Sequence, residues 1–357
     1  MSTTPSKKFF PALTGYRAIA AWMIFVYHFM PFNSPRYPQW IKSIVGEFHM
    51  GVDLFFVLSG FLIAYRYYND YPIHFRKYMG NRIARIYPMY FIITTAVFIV
   101  WFLQNGFWTT EKTYELLASL TLTKALFSGF FLKGIPQGWT LTLEELFYLT
   151  APLYFLLIRK AKVWLYLLPV TVFLIFALFK LLFAFPGNTF GFLQTNIHAY
   201  VVEFFAGIAL ALLILKKKPI NFKIPATALG IAVILFYLLS RHWFAGIFNL
   251  KSDLGRLLEM AFLSIFGIVP LLWGLINEKT WIRSLLSTRT MVLLGKSSYI
   301  FYLIHKGFVP VFINDYISDN KLIIFLLLSV LSIVLFKFIE EPLNLYIRRR
   351  YGSSKRI

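Results

Sequence analysis

The chain has 357 residues, of which 59% are hydrophobic, 20% aromatic and only 14% charged. A soluble domain carries about a quarter charged residues, so this composition excludes an ordinary water-soluble protein. Cysteine is absent, which excludes a disulfide framework, a thiolate nucleophile and a cysteine-based metal site. The net charge of +21 lies mostly between long apolar runs, and it therefore indicates membrane topology rather than nucleic-acid binding.

Ten apolar runs are long enough to cross about 30 Å of hydrocarbon, which predicts an all-α integral membrane protein with a bundle of about ten transmembrane helices. The predicted segments are 12–31, 48–65, 86–104, 139–158, 163–185, 198–215, 222–240, 257–277, 291–313 and 322–341. The connection 105–138 is the longest, and part of it, within 114–132, is predicted to form an interfacial or re-entrant helix. The first run lacks a small-residue cleavage site, so we expect it to be retained rather than removed as a signal peptide.

Basic residues predict the orientation of this bundle. When the connections are assigned alternately to two sides, 23 Lys and Arg fall on the side of the termini, nine on the other side and four inside the segments. Because Lys and Arg accumulate in cytoplasmic loops, both termini are predicted to be cytoplasmic. We expect a single transmembrane domain over 1–357, with a short cytoplasmic tail at 1–11 and a basic tail at 343–357.

Two ionisable residues interrupt the first predicted helix. Arg17 and His28 are eleven residues apart, which on an α-helix is three full turns plus roughly 20° and about 16 Å along the axis. Both side chains are predicted to face the same way, with Arg17 near the cytosol and His28 in the outer half. Ionisable residues at membrane depth usually face a cavity or a partner.

The later segments add more such residues. Asp53 is expected in the outer half of the second helix, and Arg82 and Arg85 lie three residues apart, hence on one face, at the cytoplasmic start of the third. Either Glu144 or Glu145 is expected to face the bundle at the outer start of the fourth. The remaining titratable groups at membrane depth are Glu203 and His305 in the outer half and Glu340 and Glu341 in the inner half.

This sorting by depth predicts a ligand that is anionic at its cytosolic end and reactive at its deep end. Guanidinium groups bind phosphates in a bidentate manner, whereas imidazole and carboxylate groups transfer protons. A structural explanation stays open for each residue alone. An arginine near a helix end can reach lipid headgroups, and a buried His28 or Asp53 can bridge neighbouring helices. Only the combination favours a site.

Six motifs in a fixed order carry a family resemblance. They are "LTGYRAIAAWMIFVYHF", "GVDLFFVLSGFLI", "RIARIYP", "WTLTLEELFYL", "LGKSSYIFYLIH" and "FIEEP". Together, from Leu13 to Pro342, they resemble the membrane acyltransferase-3 family, bacterial integral-membrane enzymes that O-acylate carbohydrates and some other acceptors. The sequence departs from that pattern at Thr14, where the family commonly has Asp, and at Thr140, where it commonly has Ser. We therefore assign no catalytic role to position 14.

The resemblance implies an acyl-CoA donor, most commonly acetyl-CoA, and a carbohydrate or glycolipid acceptor facing the outer side of a bacterial cytoplasmic membrane. It implies no metal. Arg17 and His28 match the family's Arg–His pair, Arg82 and Arg85 match its Arg pair, and Glu144 matches the glutamate of its fourth-helix motif. The three arginines would hold the phosphates of CoA near the cytosol, while His28 meets the thioester deeper in the protein.

Two mechanisms stay open for His28 at this stage. As a general base, it would remove the proton of the acceptor hydroxyl during attack on the thioester, and Glu144 or Asp53 would orient the ring or position the acceptor. As a nucleophile, it would form an acyl-imidazole instead.

Other functional classes also stay open. A proton-coupled exporter of a glycan or lipid would use the same carboxylates and His as a relay, but it gives the arginine pair no task. A purely structural partner in envelope assembly leaves the buried charges unexplained. Some family members carry an extracellular hydrolase-like domain after the bundle, and none is visible in this sequence. We therefore expect direct acylation of the acceptor, or transfer to a separate partner. The acceptor, the acyl group (acetyl, succinyl or longer) and the oligomeric state are not predicted.

Overall fold

The structure is a computed structural model that describes residues 8–183, 197–216, 224–244 and 253–352. Every regular element within these ranges is a helix. Helices satisfy their backbone hydrogen bonds within one segment, which is what a chain needs where water is absent. The all-helical class expected from the sequence is therefore confirmed for the described residues.

The chain forms sixteen α-helices in these ranges. Those of the first half are α1 (Pro11–Phe29), α2 (Gln39–Gly46), α3 (Gly51–Tyr67), α4 (Phe75–Asn105), α5 (Thr110–Leu120), α6 (Trp139–Lys160) and α7 (Trp164–Phe183). Those of the second half are α8 (Ile197–Leu215), α9 (Ala226–Phe244), α10 (Asp253–Phe262), α11 (Val269–Asn277), α12 (Trp281–Leu286), α13 (Arg289–Ile304), α14 (Phe308–Tyr316), α15 (Lys321–Leu335) and α16 (Glu341–Ile347).

Short 3₁₀ and π-helical turns connect several of these helices. The 3₁₀ turns are Glu47–Met50, Lys124–Leu126 and Pro136–Gly138, and the π-helical turns are Leu263–Ile268, Phe336–Glu340 and Arg348–Gly352. Through such turns α2 continues into α3, α10 into α11 and α15 into α16.

Each of the ten predicted segments overlaps a helix, but the helices differ in how well their length and hydropathy suit a membrane crossing. Among the residues that the structure describes, five helical stretches are long and apolar enough to span a bilayer, namely Gln39–Tyr67, Phe75–Asn105, Pro136–Lys160, Leu258–Asn277 and Lys321–Arg350. The number of ten crossings and the cytoplasmic position of both termini stay predictions. Positions 184–185 and 222–223 of the predicted segments, and 1–7 and 353–357 of the predicted tails, lie outside the described residues.

The predicted single helix 291–313 is interrupted. It ends at Ile304, and α14 begins at Phe308 after Gly307, whose φ of 102° lies in a region that favours glycine. His305 follows the last residue of α13, so its ring is held at a helix end rather than in the middle of a span.

The connection 105–138 is also less helical than expected. Within the predicted range 114–132, the α-helix ends at Leu120. Leu122 has a φ of 57° and Gly134 a φ of 65°, conformations that break a regular helix. The segment 121–138 instead folds as turns around the buried Lys124.

Several pairs of helices approach so closely that only glycine fits between them, and two of these contacts are described here. A Cβ atom on Gly60 of α3 would lie 2.0 Å from the carbonyl oxygen of Phe204 on α8, and one on Gly295 of α13 would lie 1.8 Å from that of Thr14 on α1. Small residues allow such backbone contact between membrane helices. The second contact sets α1 directly against α13, the helices that carry Arg17, His28 and Tyr302.

Candidate active site

A cavity of about 410 Å³ runs through the described bundle and follows one face of α3. Its lining on this helix begins at Val52 and ends at Arg66, which is about 21 Å of helix at 1.5 Å per residue. Ser59 lies midway along that face. The cavity is therefore an elongated channel with distinct ends, suited to a long and narrow ligand.

Guanidinium groups are concentrated in this cavity. Arg17, Arg82 and Arg85, the three predicted from the sequence, line it together with Arg66 and Arg348. Several of them are close enough to repel one another electrostatically, Arg66 with Arg82 and Arg348 with Arg85 among them. Three carboxylates also line the cavity, those of Glu144, Glu340 and Glu341, so the arginines are in excess, and this excess of positive charge suits an anionic ligand.

Only one of these arginines pairs with a carboxylate in the part of the chain that the structure describes. Arg85 donates a short hydrogen bond to Glu340, whose side chain is buried. Arg82 instead lies over the rings of Tyr67 and Tyr148, at 5.7 and 5.2 Å from their centroids, and its Nε is buried without a hydrogen-bond partner. Arg82 thus keeps donor capacity that the protein does not use.

Glu144 forms the polar centre of the cavity. Its Oε1 accepts a hydrogen bond of 2.6 Å from Ser59 Oγ and a shorter one from the hydroxyl of Tyr148. Tyr148 is fixed in turn, because Tyr78 donates a 2.6 Å hydrogen bond to its backbone carbonyl. Of the two glutamates that the sequence left open, Glu144 is the one that lines the cavity, while Glu145 does not.

Tyr302 and Phe55 stand at the end of the cavity opposite Arg66. Both line it, and their ring centroids are 6.2 Å apart. The Tyr302 hydroxyl lies 2.8 Å from Thr140 Oγ1, and Gln137 donates a 2.9 Å hydrogen bond to the Tyr302 carbonyl. This network joins α13 to the start of α6. The rings of Tyr302 and Phe55 together form an aromatic wall at this end of the cavity.

His28 lies behind that wall and does not line the cavity. Its ring contacts His305 in an edge-to-face arrangement with centroids 5.1 Å apart, and the His305 ring is 5.5 Å from that of Tyr302. Arg17 and His28 therefore do not open onto one continuous space, although their spacing predicts a common face. The aromatic wall, which the spacing cannot report, separates them.

Asp53 is buried in α3, with 4% of its surface exposed, and it does not line the cavity either. It interacts electrostatically with Tyr16 of α1. Two threonines line the cavity, Thr14, to which we assign no catalytic role, and Thr140.

The structure adds site residues that sequence reasoning missed. Arg66 and Arg348 belong to the basic loop residues from which the orientation of the bundle is predicted. Ser59 and Tyr148 are not predicted as site residues. A sequence signal did exist for three of them. Ser59 and Arg66 are seven residues apart, so they share one helix face, and Tyr148 follows Glu144 by four residues.

Metal ligands do not cluster in the part of the chain described here. Across residues 8–183, 197–216, 224–244 and 253–352, no group of three or more His, Asp or Glu is arranged to hold an ion.

Sequence comparison supports one family. The profile of a family described as "Acyltransferase domain", the acyltransferase-3 family, matches residues 10–339. Similar proteins include the O-acetyltransferase OatA from Staphylococcus aureus strains NCTC 8325, COL and MRSA252, each 26% identical over 95% of this chain. The alignment covers 58% of these relatives, so the chain spans less than two thirds of their length. No solved structure matches the chain.

Proposed function

The chain belongs to the acyltransferase-3 family, and from this premise we propose that it is an integral-membrane O-acetyltransferase. It moves an acetyl group from acetyl-CoA to a hydroxyl of a carbohydrate or glycolipid. The chain is a multi-pass membrane protein, and we assign it to a bacterial cytoplasmic membrane with the donor on the cytosolic side.

One observation carries the proposal, the joining of an arginine cluster to Glu144 within a single narrow cavity. Acyl-CoA has the matching shape, since its phosphates lie at one end, its thioester at the other and a thin pantetheine arm between them. The charged nucleotide stays at the mouth because moving it through the bilayer is too costly. An exporter of a neutral glycan would give the five arginines no task.

The arginines hold the donor in this proposal. Guanidinium forks bind phosphate oxygens in a bidentate manner, and Arg82 has donor groups to offer because its Nε is unpartnered. Arg17 of α1 and Arg85 of α4 contribute to the same phosphates. Arg66 and Arg348 extend the cluster at the mouth and suit a second phosphate group of the nucleotide.

Glu144 and Asp53 are assigned supporting roles. Glu144 is held by Ser59 and Tyr148 through one oxygen, which leaves the other carboxylate oxygen to position an amide or hydroxyl of a substrate. Asp53 is further from the cavity, and its task is to fix the packing of α3 against α1 near Tyr16.

His28 is the proposed general base. It accepts the proton of the acceptor hydroxyl while that oxygen attacks the thioester carbonyl, and the C–S bond then breaks to release CoA. The wall formed by Tyr302 and Phe55 has to move before the thioester and the acceptor can reach His28, since the His28 ring lies outside the cavity lining. The alternative, an acyl-imidazole at His28, predicts label on the protein when labelled acetyl-CoA is supplied without acceptor.

The proposal is tested with purified protein in proteoliposomes. Acetyl-CoA labelled in the acetyl group is supplied on one side and a set of glycans on the other, and labelled glycan is measured by mass spectrometry. We expect acetyl esters on glycan hydroxyls and release of one CoA for each ester. Glu144→Gln and His28→Ala are expected to reduce transfer, the second by roughly 10² to 10⁴-fold. Glycan crossing the membrane without acetylation would favour the exporter instead.

A further inference from the structure

The two imidazole rings of His28 and His305 form a contact that the proposed reaction does not yet use. Their centroids are 5.1 Å apart and the ring planes meet at 83°. His305 is 1% exposed, and Phe301 and Tyr302 flank it on its own helix, with ring centroids at 6.5 and 5.5 Å. A second buried imidazole beside the proposed base calls for a chemical explanation.

Backbone contacts fix the tautomer of both rings. Nδ1 of His28 lies 3.1 Å from the carbonyl oxygen of Ile24, and Nδ1 of His305 lies 2.7 Å from that of Tyr302. A carbonyl oxygen can only accept a hydrogen bond, so each Nδ1 carries the proton. In the neutral state each Nε2 therefore carries the lone pair, and both basic nitrogens are of the same kind.

The Nε2 of His305 is buried and has no hydrogen-bond partner. A buried acceptor left unpaired is unfavourable, and an imidazole used only for packing would be replaced at lower cost by an apolar ring. A proton donor therefore completes the site at some stage of its work. The imidazole in contact with this ring is that of His28, and His28 gains an Nε2–H when it acts as a base.

We propose that His305 is a positioning residue that accepts a hydrogen bond at Nε2 from protonated His28 and so stabilises the imidazolium formed during acyl transfer. This inference rests on the proposed function, because it assigns a partner to the proposed base. The rings act as one proton site, since two charges at this separation would repel each other strongly.

The reaction balances with one proton on the pair. The O–H bond of the acceptor breaks and its proton moves to His28 Nε2, while the acceptor oxygen forms a bond to the thioester carbonyl carbon. The C–S bond then breaks and the sulfur leaves with the electron pair. The proton held by His28 and His305 finally passes to the thiolate, which gives an ester and free CoA.

Other titratable and charged groups lie near the two rings. They are Tyr27, His49, Tyr302, Lys306 and Lys321, the last placed over the ring of Phe29 at the end of α1. His305→Asn leaves all of these groups unchanged, so a change in the pH profile of that variant reports on His305.

His305→Asn is the informative variant. The asparagine amide nitrogen can take the place of Nδ1 and keep the hydrogen bond to the Tyr302 carbonyl, but no atom replaces the basic Nε2. We expect this variant to fold and to keep its KM for acetyl-CoA, while kcat falls roughly tenfold to a hundredfold, the worth of a hydrogen bond to a charged group. The acid limb of the pH–rate profile should move to lower pH, because protonated His28 loses its acceptor.

His49→Gln is the matched control, since His49 contacts Tyr27 but makes no ring contact with His28 among the described residues. It should keep both kcat and the pH profile. Near-normal kcat in His305→Asn would overturn the inference, as would a fall in kcat with an unmoved acid limb, which indicates a structural role.

A readout without turnover separates this inference from the proposed function. The chain has six His, so ¹⁵N-labelled imidazoles can be assigned by single substitutions and titrated by NMR. We expect both rings to carry the proton on Nδ1 and the titration midpoint of His28 to fall in His305→Asn. An unchanged midpoint overturns the pair even if transfer is observed. Absence of acetyl transfer by the wild-type protein, with the midpoint shifted, overturns the proposed function alone.

Discussion

Arg82 and Arg85 occupy one turn of α4 and both line the cavity, yet their surroundings differ. Arg85 is neutralised by the buried Glu340, whereas Arg82 rests on two tyrosine rings and keeps an unpartnered Nε. The two guanidinium groups are therefore stabilised by different interactions, an ion pair for Arg85 and contacts with aromatic rings for Arg82. Arg82 is available to a ligand, while Arg85 also holds the protein together.

Alanine substitutions should separate these two roles. Arg82→Ala is expected to weaken acetyl-CoA binding roughly tenfold to a hundredfold, the loss of a charge-assisted hydrogen bond, with little change in thermal stability. Arg85→Ala should lower stability as well, since it leaves the buried carboxylate of Glu340 without its ion-pair partner. Binding is measured by titration calorimetry and stability by thermal unfolding in the same detergent.

The double variant Arg85→Ala/Glu340→Gln provides the control for this comparison. It removes the unpaired carboxylate and should regain stability without regaining donor affinity. Unchanged affinity in both Arg82→Ala and Arg85→Ala would contradict the assignment of the cluster to the donor.

Arg348 makes a prediction about donor selectivity. It lines the mouth of the cavity with a buried, unpartnered Nε, which suits a phosphate at the far end of the nucleotide. Arg348→Ala should bind acetyl-CoA less tightly but acetyl-dephospho-CoA nearly as well as the wild type does. Competition binding with both compounds measures the ratio of the two affinities.

The neighbouring Arg349 gives a matched control, because it is exposed and does not line the cavity. Arg349→Ala should preserve the preference of the wild type for acetyl-CoA. Equal losses of affinity for both donors in Arg348→Ala would assign Arg348 to general electrostatic attraction instead.

The sequence predicts part of this site for physical reasons. Arg17 and Glu144 interrupt apolar runs, where a charge is costly, and Arg82 and Arg85 share one helix face because they are three residues apart. All four line the cavity. Arg66 escapes prediction because it lies near a helix end, where a basic residue is ordinary. The separation of His28 from the cavity depends on how side chains fill the space between helices, which periodicity does not encode.

At the scale of elements, the contact between α1 and α13 brings the proposed base beside its partner. Gly295 and the Thr14 carbonyl touch, and this close approach fixes the rotation of both helices. Hydropathy predicts both helices, but their contact depends on glycine positions and on the break at Gly307. The pairing of His28 with His305 therefore emerges only in three dimensions.

The connection between α5 and α6 is organised by a buried amine. Lys124 donates hydrogen bonds to the carbonyls of Lys133 and Ile135 and is fully buried. Burial lowers the pKa of Lys124 to about 7, although the nearby Glu115 carboxylate partly opposes this change. The amine that holds this connection thus titrates near neutral pH.

The stability of this connection should increase with pH between about 7 and 10. The unfolded pKa of lysine is about 10.4, so in this range the open state binds more protons than the folded state, and each pH unit contributes at most about 1.4 kcal/mol. The contribution is fully present above the unfolded pKa and is lost as the pH falls through the folded pKa. Hydrogen exchange of residues 121–138, corrected for intrinsic rates, measures it.

Lys124→Met provides the comparison for this measurement. It should leave the connection less protected at high pH, because two carbonyls lose their donor, but the dependence of protection on pH should disappear. The same slope in wild type and variant would assign the dependence to another group.

At the scale of the whole molecule, the apolar runs predict the helices well because lipid leaves the backbone few alternatives. The irregular segment 121–138 and the break at 305–307 were not predicted. Both depend on the positive φ angles of single residues, Leu122, Gly134 and Gly307. Hydropathy is averaged over many residues and does not report such angles. Helix lengths also depart from the predicted bounds, since α4 begins at Phe75, eleven residues before the predicted start.

The absence of cysteine makes the topology directly testable. With both termini cytoplasmic, Lys133→Cys should react with a membrane-impermeant maleimide in intact spheroplasts, whereas Lys77→Cys should react only after permeabilisation. Both positions are exposed to solvent. Labelling in the opposite order would invert the orientation and move the arginine cluster to the outer side.

The ion pair between Arg85 and Glu340 gives the proposed donor site an internal competitor. A phosphate that reaches Arg85 has to take the place of a carboxylate that is already there, so donor binding at this position is an exchange of one anion for another. Exchange weakens the net affinity, and it also lowers the barrier to release, because Glu340 recaptures Arg85 as the phosphate departs. The proposed donor binds as acetyl-CoA and has to leave as free CoA. Such a site suits this exchange, because it holds each anion only long enough to react.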